Sequence, residues 1–325
     1  MRIHIVFILA VSFLGLASLT TPALADTIPL NSLNLEGTSA LLSPTGPLRL
    51  TPNYDTDPTS SVAPAGAAWT KSTYDIASPF SVNFQFQMSD PCIGNGQNGA
   101  CISDLGHGGD GIAFVIQDSS SPGPYSTGSG DTALGQGAGG MGFLGINDSV
   151  AVMLDTYQND AFNYYGDPSN NYISVNTRGT DFNVPHHFCT NGLLTTPESV
   201  HSDLPGALGD CTASPTLGMT GSGGVPALSE DIDSGVHDVE ITYTGSMLDI
   251  YLDSALVLAV SIDLSTDLQT DNAFLGFTAG TRYAYQNQDI LSFAVTPEPA
   301  WGQLWVPLAM ILAAVLARKW RRSKV

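Results

Sequence analysis

The apolar residues between Asp26 and Val295 fall into short runs, and Gly, Pro, Asn or Asp punctuates the gaps between them. This rhythm limits the fold more than any other feature, because a two-residue period marks a strand with one buried face. In Phe80–Met88 the alternation puts Val82, Phe84, Phe86 and Met88 on one side. Ile112–Ile116 and Val150–Leu154 are continuous apolar runs, as expected of strands covered on both faces or lying in a sandwich core. Tyr172–Asn176 alternates again. Val239–Tyr243, Leu248–Leu252 and Leu256–Val260 then follow closely, with Gly245-Ser246 placed for a tight hairpin between the first two. Phe274–Thr278 and Ile290–Val295 complete the set. No convincing amphipathic helix and no internal repeat interrupts them. With 34 glycines, and few of the Lys, Glu and Arg that favour helices, the chain is expected to be all-β, a sandwich or jelly roll. Residues 183–230, rich in Pro, Gly and Ser, read as a long inserted loop.

The two ends read as addresses. Residues 1–25 carry a basic start at Arg2, an apolar stretch from Ile5 to Leu19 and the small-x-small site Ala23-Leu24-Ala25, the pattern of a secretory signal peptide. Residues 296–325 contain Pro297-Glu298-Pro299, a hydrophobic stretch from Ala300 to Ala317 expected to form a helix, and the cluster Arg318-Lys319-Trp320-Arg321-Arg322. At about 1.5 Å per helical residue that stretch is long enough to cross roughly 30 Å of hydrocarbon. The basic cluster is then expected to stay cytoplasmic. This tripartite tail closely resembles the PEP-CTERM sorting signal of exopolysaccharide-producing Gram-negative bacteria. The resemblance implies an exosortase-type partner that cuts near the Pro-Glu-Pro, and membrane contact through the helix before processing; a permanent anchor is the alternative. Both place residues 26–295 outside the cytoplasm.

Between Asp26 and Pro299 only Arg49, Lys71, Arg178 and Arg282 face all 30 acids, so the acidic excess there is larger than the whole-chain formal charge of −20 suggests. Such a surface does not neutralise a phosphate backbone, which excludes nucleic acid as a partner and disfavours anionic lipid surfaces. The four cysteines suit an exported protein with two disulfides. Three pairings are open; Cys92–Cys101 and Cys189–Cys211 are favoured because each staples one polar insertion, at about 3 kcal/mol per closed loop. A four-thiolate zinc site is the alternative, but no Cys-x-x-Cys spacing supports it. His107, His186, His187 and His201 also lack ligand-like spacing and read as solvated loop residues.

Chemistry concentrates after the Val150–Leu154 strand. Asp155, Asn159 and Asp167, with the Tyr157 carbonyl, form an oxygen set of the kind calcium takes, six to eight ligands being completed by water. Spacing alone also fits solvated turn residues. The stretch Val150-Ala-Val-Met-Leu-Asp-Thr-Tyr-Gln-Asn159, with Asp167-Pro168 and Asn171-Tyr-Ile-Ser-Val175, resembles the metal-binding signature of the L-type (legume-type) lectins. The likeness runs in order from about residue 27 to 295. Asn34–Gly37 with Gly46–Thr51 resembles the first hairpin of that fold. Gly109–Phe114, Gly139–Gly145, His237–Asp253 and Gly276–Thr281 match later motifs. The family implies a concanavalin-like jelly-roll β-sandwich with sugar in a shallow pocket beside calcium. By position, Asp110 accepts hydrogen bonds from sugar hydroxyls, and the Gly139–Gly140 loop and Asn159 donate to the same sugar. The loop with Arg282, Tyr283 and Tyr285 sets specificity, with an aromatic face from one of the tyrosines.

Two departures from the family pattern matter. Met153 stands where its transition-metal glutamate belongs and Tyr172 where its histidine belongs, and neither is a good donor for manganese. The expectation is therefore calcium alone. The leading function is a non-catalytic, calcium-dependent carbohydrate- or exopolysaccharide-binding protein. A structural or adhesive matrix protein with a non-functional sugar site is one alternative. A glycoside hydrolase on the same sandwich is another, though Glu36, Glu198, Glu230, Glu240 and Glu298 do not form the expected alternating strand pair.

Overall fold

The structure, a computed structural model, describes residues 25–56, 62–94, 101–103, 107–159, 167–185 and 216–297. Residues 1–24 and 298–325, which hold most of the two expected addresses, lie outside these, as do His186, His187, His201, Cys189 and Cys211. Cys92 is buried and disulfide-bonded, and Cys101 begins the short strand Cys101–Ser103 that pairs with the end of the Phe80–Gly94 strand; the Cys189–Cys211 pairing lies outside the described residues. Among the described residues no helix is long and apolar enough to cross a membrane.

Two antiparallel sheets pack face to face. One runs, edge to edge, through Thr216–Met219, Tyr172–Thr177, Ser149–Asp155, Gly111–Gln117, Asn272–Gly280, Ala65–Trp69 and Asn34–Gly37. The other runs through Ala255–Ser261, Met247–Leu252, Val236–Tyr243, Phe80–Gly94, Ala284–Pro297, Leu48–Thr51 and Ala40–Leu41. Half of the neighbouring pairs along the two sheets are not consecutive in sequence, and the chain crosses repeatedly between the sheets, as in a jelly roll. The Gly245-Ser246 hairpin forms as expected, closed by Thr244 N–H donating to the Met247 carbonyl at 3.0 Å.

The alternating code is realised in the core. Val82, Phe84, Phe86 and Met88 all point inward from one strand. They meet Ile112, Phe114 and Ile116 of the facing sheet, and rings join across the interface: Phe84 to Phe277 at 5.0 Å and Phe277 to Phe293 at 4.9 Å, both edge-on. The runs read as covered on both faces are so. Ala113, Val115, Ala151 and Met153 point the other way, into a second apolar cluster with Trp69, Met141, Phe143 and Ile146. Residues 118–147 thus fold over the outer face of this sheet. The Trp69 Nε1–H ties them down by donating to the Ala133 carbonyl at 2.7 Å.

Three expectations are corrected. Asn34–Gly37 and Leu48–Thr51 do not form one hairpin: the first pairs with Ala65–Trp69 in one sheet and the second with Ala40–Leu41 and Ala284–Pro297 in the other. The chain changes sheets at Thr38-Ser39, where the Thr38 hydroxyl donates to the Leu50 carbonyl at 2.7 Å. The stretch 183–230 is not loop throughout, because Thr216–Met219 adds an edge strand beside Tyr172–Thr177. A short helix, Leu264–Leu268, also exists; Asp263 caps it by accepting from Thr266 N–H, and Leu264 and Leu268 are buried.

Phe277 contacts three other core rings. Phe277→Ala is expected to lower the unfolding free energy by about 3–5 kcal/mol, read by urea denaturation.

Candidate functional site

Strand register delivers the site. Asp155, at the end of Ser149–Asp155, lies opposite Gly111 on one neighbouring strand and opposite Tyr172 on the other. Asp110 therefore reaches the same end of the sheet, one residue before its own strand. Its N–H donates to the Gly280 carbonyl at 2.9 Å, its carbonyl accepts from Thr156 N–H at 3.0 Å, and the Gly109–Asp110 peptide is cis. Two glycines are required by close approach. A side chain on Gly111, at φ +144°, would collide with the Leu154 carbonyl, and one on Gly280 would collide with the Ala138 carbonyl of the Ala138–Gly140 turn. The turn and Asp110 are thereby seated on the same strand.

Asp110, Asp155, Asn159 and Asp167 come together here, none more than 5 % exposed. Asp155 Oδ1 accepts from Tyr157 N–H at 2.9 Å, and Asp167 Oδ2 accepts from Asn159 N–H at 2.7 Å. The Asn159 side chain hydrogen-bonds Asp110. Its own Oδ1, and Oδ2 of Asp110, are buried with no hydrogen-bond partner. Burial raises the Asp110 carboxyl well above the ordinary range, and the charge of Asp167 raises it further. Asp155 is raised in the same way, by burial, then by Asp167 and Asp110. Two of the four central cations are committed elsewhere, Arg49 to Asp289 at 2.7 Å and Arg178 to Asp181 at 3.9 Å.

A buried group of acids with an orphaned amide oxygen is a poor arrangement without a cation, since buried charge needs compensation. The donors are carboxylate, amide and carbonyl oxygens, which fit calcium and not a soft metal. At the expected second-metal positions stand a thioether and a phenol. Met153 packs in the second apolar cluster, and its sulfur accepts from the Ser174 hydroxyl at 3.5 Å. The Tyr172 hydroxyl lies 3.2 Å from Asp155 Oδ2 and 2.7 Å from Asp167 Oδ1. Burial, then the two acids, pushes the Tyr172 phenol far up, so it stays protonated.

The rim separates the two loop tyrosines. Tyr283 is 51 % exposed, with φ 73°, whereas Tyr285 is 5 % exposed and points its hydroxyl toward Asp55. Arg282 is partly buried beside them. In the glycine turn, Gly140 N–H is committed to the Gly137 carbonyl at 3.0 Å. Several supporting residues were not read from the sequence. The Tyr157 ring, and not only its carbonyl, belongs to the site: it packs beside Gly109, and burial followed by Asp110 and Tyr283 raises its phenol. The Thr281 hydroxyl lies 2.8 Å from the Gly109 carbonyl, and Gln288 Nε2 donates to it at 3.2 Å. Gln286 Nε2 donates to the Thr156 hydroxyl at 2.7 Å. No periodicity marked Gln286 or Gln288, because Gln286-Asn287-Gln288-Asp289 is an unbroken polar run, which the final strand nevertheless buries as it extends back from Ile290 to Ala284.

His107 is not simply solvated. Its Nδ1 lies 3.0 Å from Asp233 Oδ2, and with Asp231 the three ligand atoms fall within 4.8 Å of one another. Surface cavities of about 500, 510 and 300 Å³ are lined by other residues.

The sequence profile of the legume lectin domain matches residues 27–301. Among solved structures, the chain is similar to a lectin from Bauhinia forficata in complex with GalNAc, at 17% identity over 86% of this chain and 99% of that one, with a TM-score of 0.53. It is similar also to peanut lectin with a nine-residue peptide, at 18% identity over 85% and 97%, TM-score 0.53. A third is lectin I-B4 of Griffonia simplicifolia in its metal-free form, at 17% over 84% and 99%, TM-score 0.50. These likenesses bear on the fold, while the profile match spans most of the chain: this protein belongs to the legume lectin domain family.

Proposed function

We propose that the protein is an exported, calcium-dependent carbohydrate-binding protein without catalytic activity, sorted to the cell surface or the exopolysaccharide matrix. The observation that carries the reading is the convergence of three buried carboxylates with the partnerless Asn159 Oδ1. Asp155, Asp167, Asn159 Oδ1 and the Tyr157 carbonyl would hold the ion, and water would complete the shell. When bound, calcium supplies the positive charge that this cluster lacks and fixes Asn159.

Asn159 links the two halves of the site. Its main-chain N–H holds Asp167, and its amide group holds Asp110. Asp110 then has one oxygen, Oδ2, left for a sugar hydroxyl to donate to. Gly139 is the better candidate for the main-chain donor, because Gly140 N–H is already used. The Tyr157 ring, near both Asp110 and Tyr283, would form with exposed Tyr283 the aromatic edge on which the apolar side of a sugar ring would rest, and Arg282 would flank it. The relative crystallised with GalNAc is consistent with a sugar ligand here, though these loops set which sugar. The enzyme alternative is disfavoured because Asp155 and Asp167 are engaged by main-chain donors and the Tyr172 hydroxyl, and Asp110 by the Asn159 side chain. For export we keep the reading of residues 1–25 and 296–325 as signal peptide and sorting tail, and the two local disulfides as staples.

Three outcomes are expected. The folded, calcium-free protein holds Asp110 and Asp155 protonated to higher pH than the unfolded chain does. It therefore binds more protons than the unfolded chain, and these acids subtract stability as pH rises above the ordinary carboxylate range of about 4. The thermal midpoint gained on replacing chelator with calcium should then be larger at about pH 7 than at about pH 5. On a glycan array in calcium, Asp110→Asn should lose binding by roughly 100-fold, at about 1.5–3 kcal/mol per lost charge-assisted hydrogen bond; retained binding would remove Asp110 from the sugar site, and no binding by the wild type would point to the adhesive alternative. Intact-mass measurement of the surface form should place its start near Asp26 and its end near Pro297-Glu298-Pro299.

A further inference from the structure

The geometry points to Tyr172 as the positioning residue of the cation site, a phenol that spans the two ligand carboxylates and restricts the site to one ion. The inference rests on the calcium reading above. Each carboxylate has one oxygen held by a main-chain N–H: Oδ1 of Asp155 by Tyr157, and Oδ2 of Asp167 by Asn159. The remaining oxygens, Asp155 Oδ2 and Asp167 Oδ1, both meet the Tyr172 hydroxyl, at 3.2 and 2.7 Å. The phenol has one proton, and the shorter contact assigns it to Asp167.

The phenol itself cannot drift. Tyr172 is fully buried, and the strand register sets it directly opposite Asp155. On the same face, Met153 and Ser174 form the next pair down the strands, joined by the hydroxyl-to-sulfur contact. No carboxylate or imidazole stands in that pair, so the space behind the phenol offers a thioether and a hydroxyl. A second ion bridging Asp155 Oδ2 and Asp167 Oδ1 would have to occupy the place of the hydroxyl oxygen. The hydroxyl therefore does two things: its one proton holds Asp167 beside Asp155, which sets the separation of the two carboxylates, and its oxygen fills the place a second, softer ion would take.

Calcium titration calorimetry of the wild-type protein and Tyr172→Phe tests this. The wild type should bind one calcium per chain and show a near-ultraviolet tyrosine difference signal on calcium addition that survives in Tyr157→Phe. Tyr172→Phe should bind about 10–100-fold more weakly and lose the difference signal. Wild-type binding with unchanged affinity in Tyr172→Phe overturns the inference and leaves the calcium reading intact, whereas no binding by the wild type overturns the calcium reading itself. If Tyr172→Phe fails to fold, the difference signal decides: a tyrosine perturbation that persists in the double variant Tyr157→Phe/Tyr283→Phe supports the role, and its absence overturns it.

Discussion

Three carboxylates buried within one another's field set the terms for this end of the molecule. Asp110, Asp155 and Asp167 repel one another in a region from which water is largely excluded, and the central domain has only four cations to offer. Two of those are bound to other acids. Such a cluster persists only if protons or a metal ion neutralise it. Everything around it serves to hold it in place: the Asp155 register against Gly111 and Tyr172, the seat that Gly280 makes for the Ala138–Gly140 turn, and the amides of Tyr157 and Asn159. The sandwich core supplies rigidity, since the strands that carry the acids are packed on both faces.

Much of this was legible in the sequence because strand periodicity and loop chemistry are local properties. The alternation of Phe80–Met88 maps onto the inner face of one sheet, and the unbroken runs Ile112–Ile116 and Val150–Leu154 onto both faces of the other. What was lost was non-local. The sheet change at Thr38-Ser39 depends on a hydrogen bond to Leu50, and the edge strand Thr216–Met219 is defined only by the partner it finds. The Leu264–Leu268 helix is a single capped turn, too short for any period to show.

The site was legible by the same division. Acids and amides at fixed spacing, Asp155, Asn159 and Asp167, do converge, and so does Asp110 from a distant segment. Spacing could not distinguish Tyr283 from Tyr285, because burial rather than position separates them. Nor could it reveal that His107 meets Asp231 and Asp233, which are remote in the chain. Gln286 and Gln288 were passed over because polar residues inside a strand read as its end, when here they brace the Asp110 loop.

The most direct measurement is metal content at equilibrium. Chelator-stripped protein, dialysed against equal concentrations of calcium, manganese and zinc and assayed by elemental analysis, is expected to retain one calcium per chain and no manganese. Retention of manganese in its place, or of no metal at all, would contradict the account.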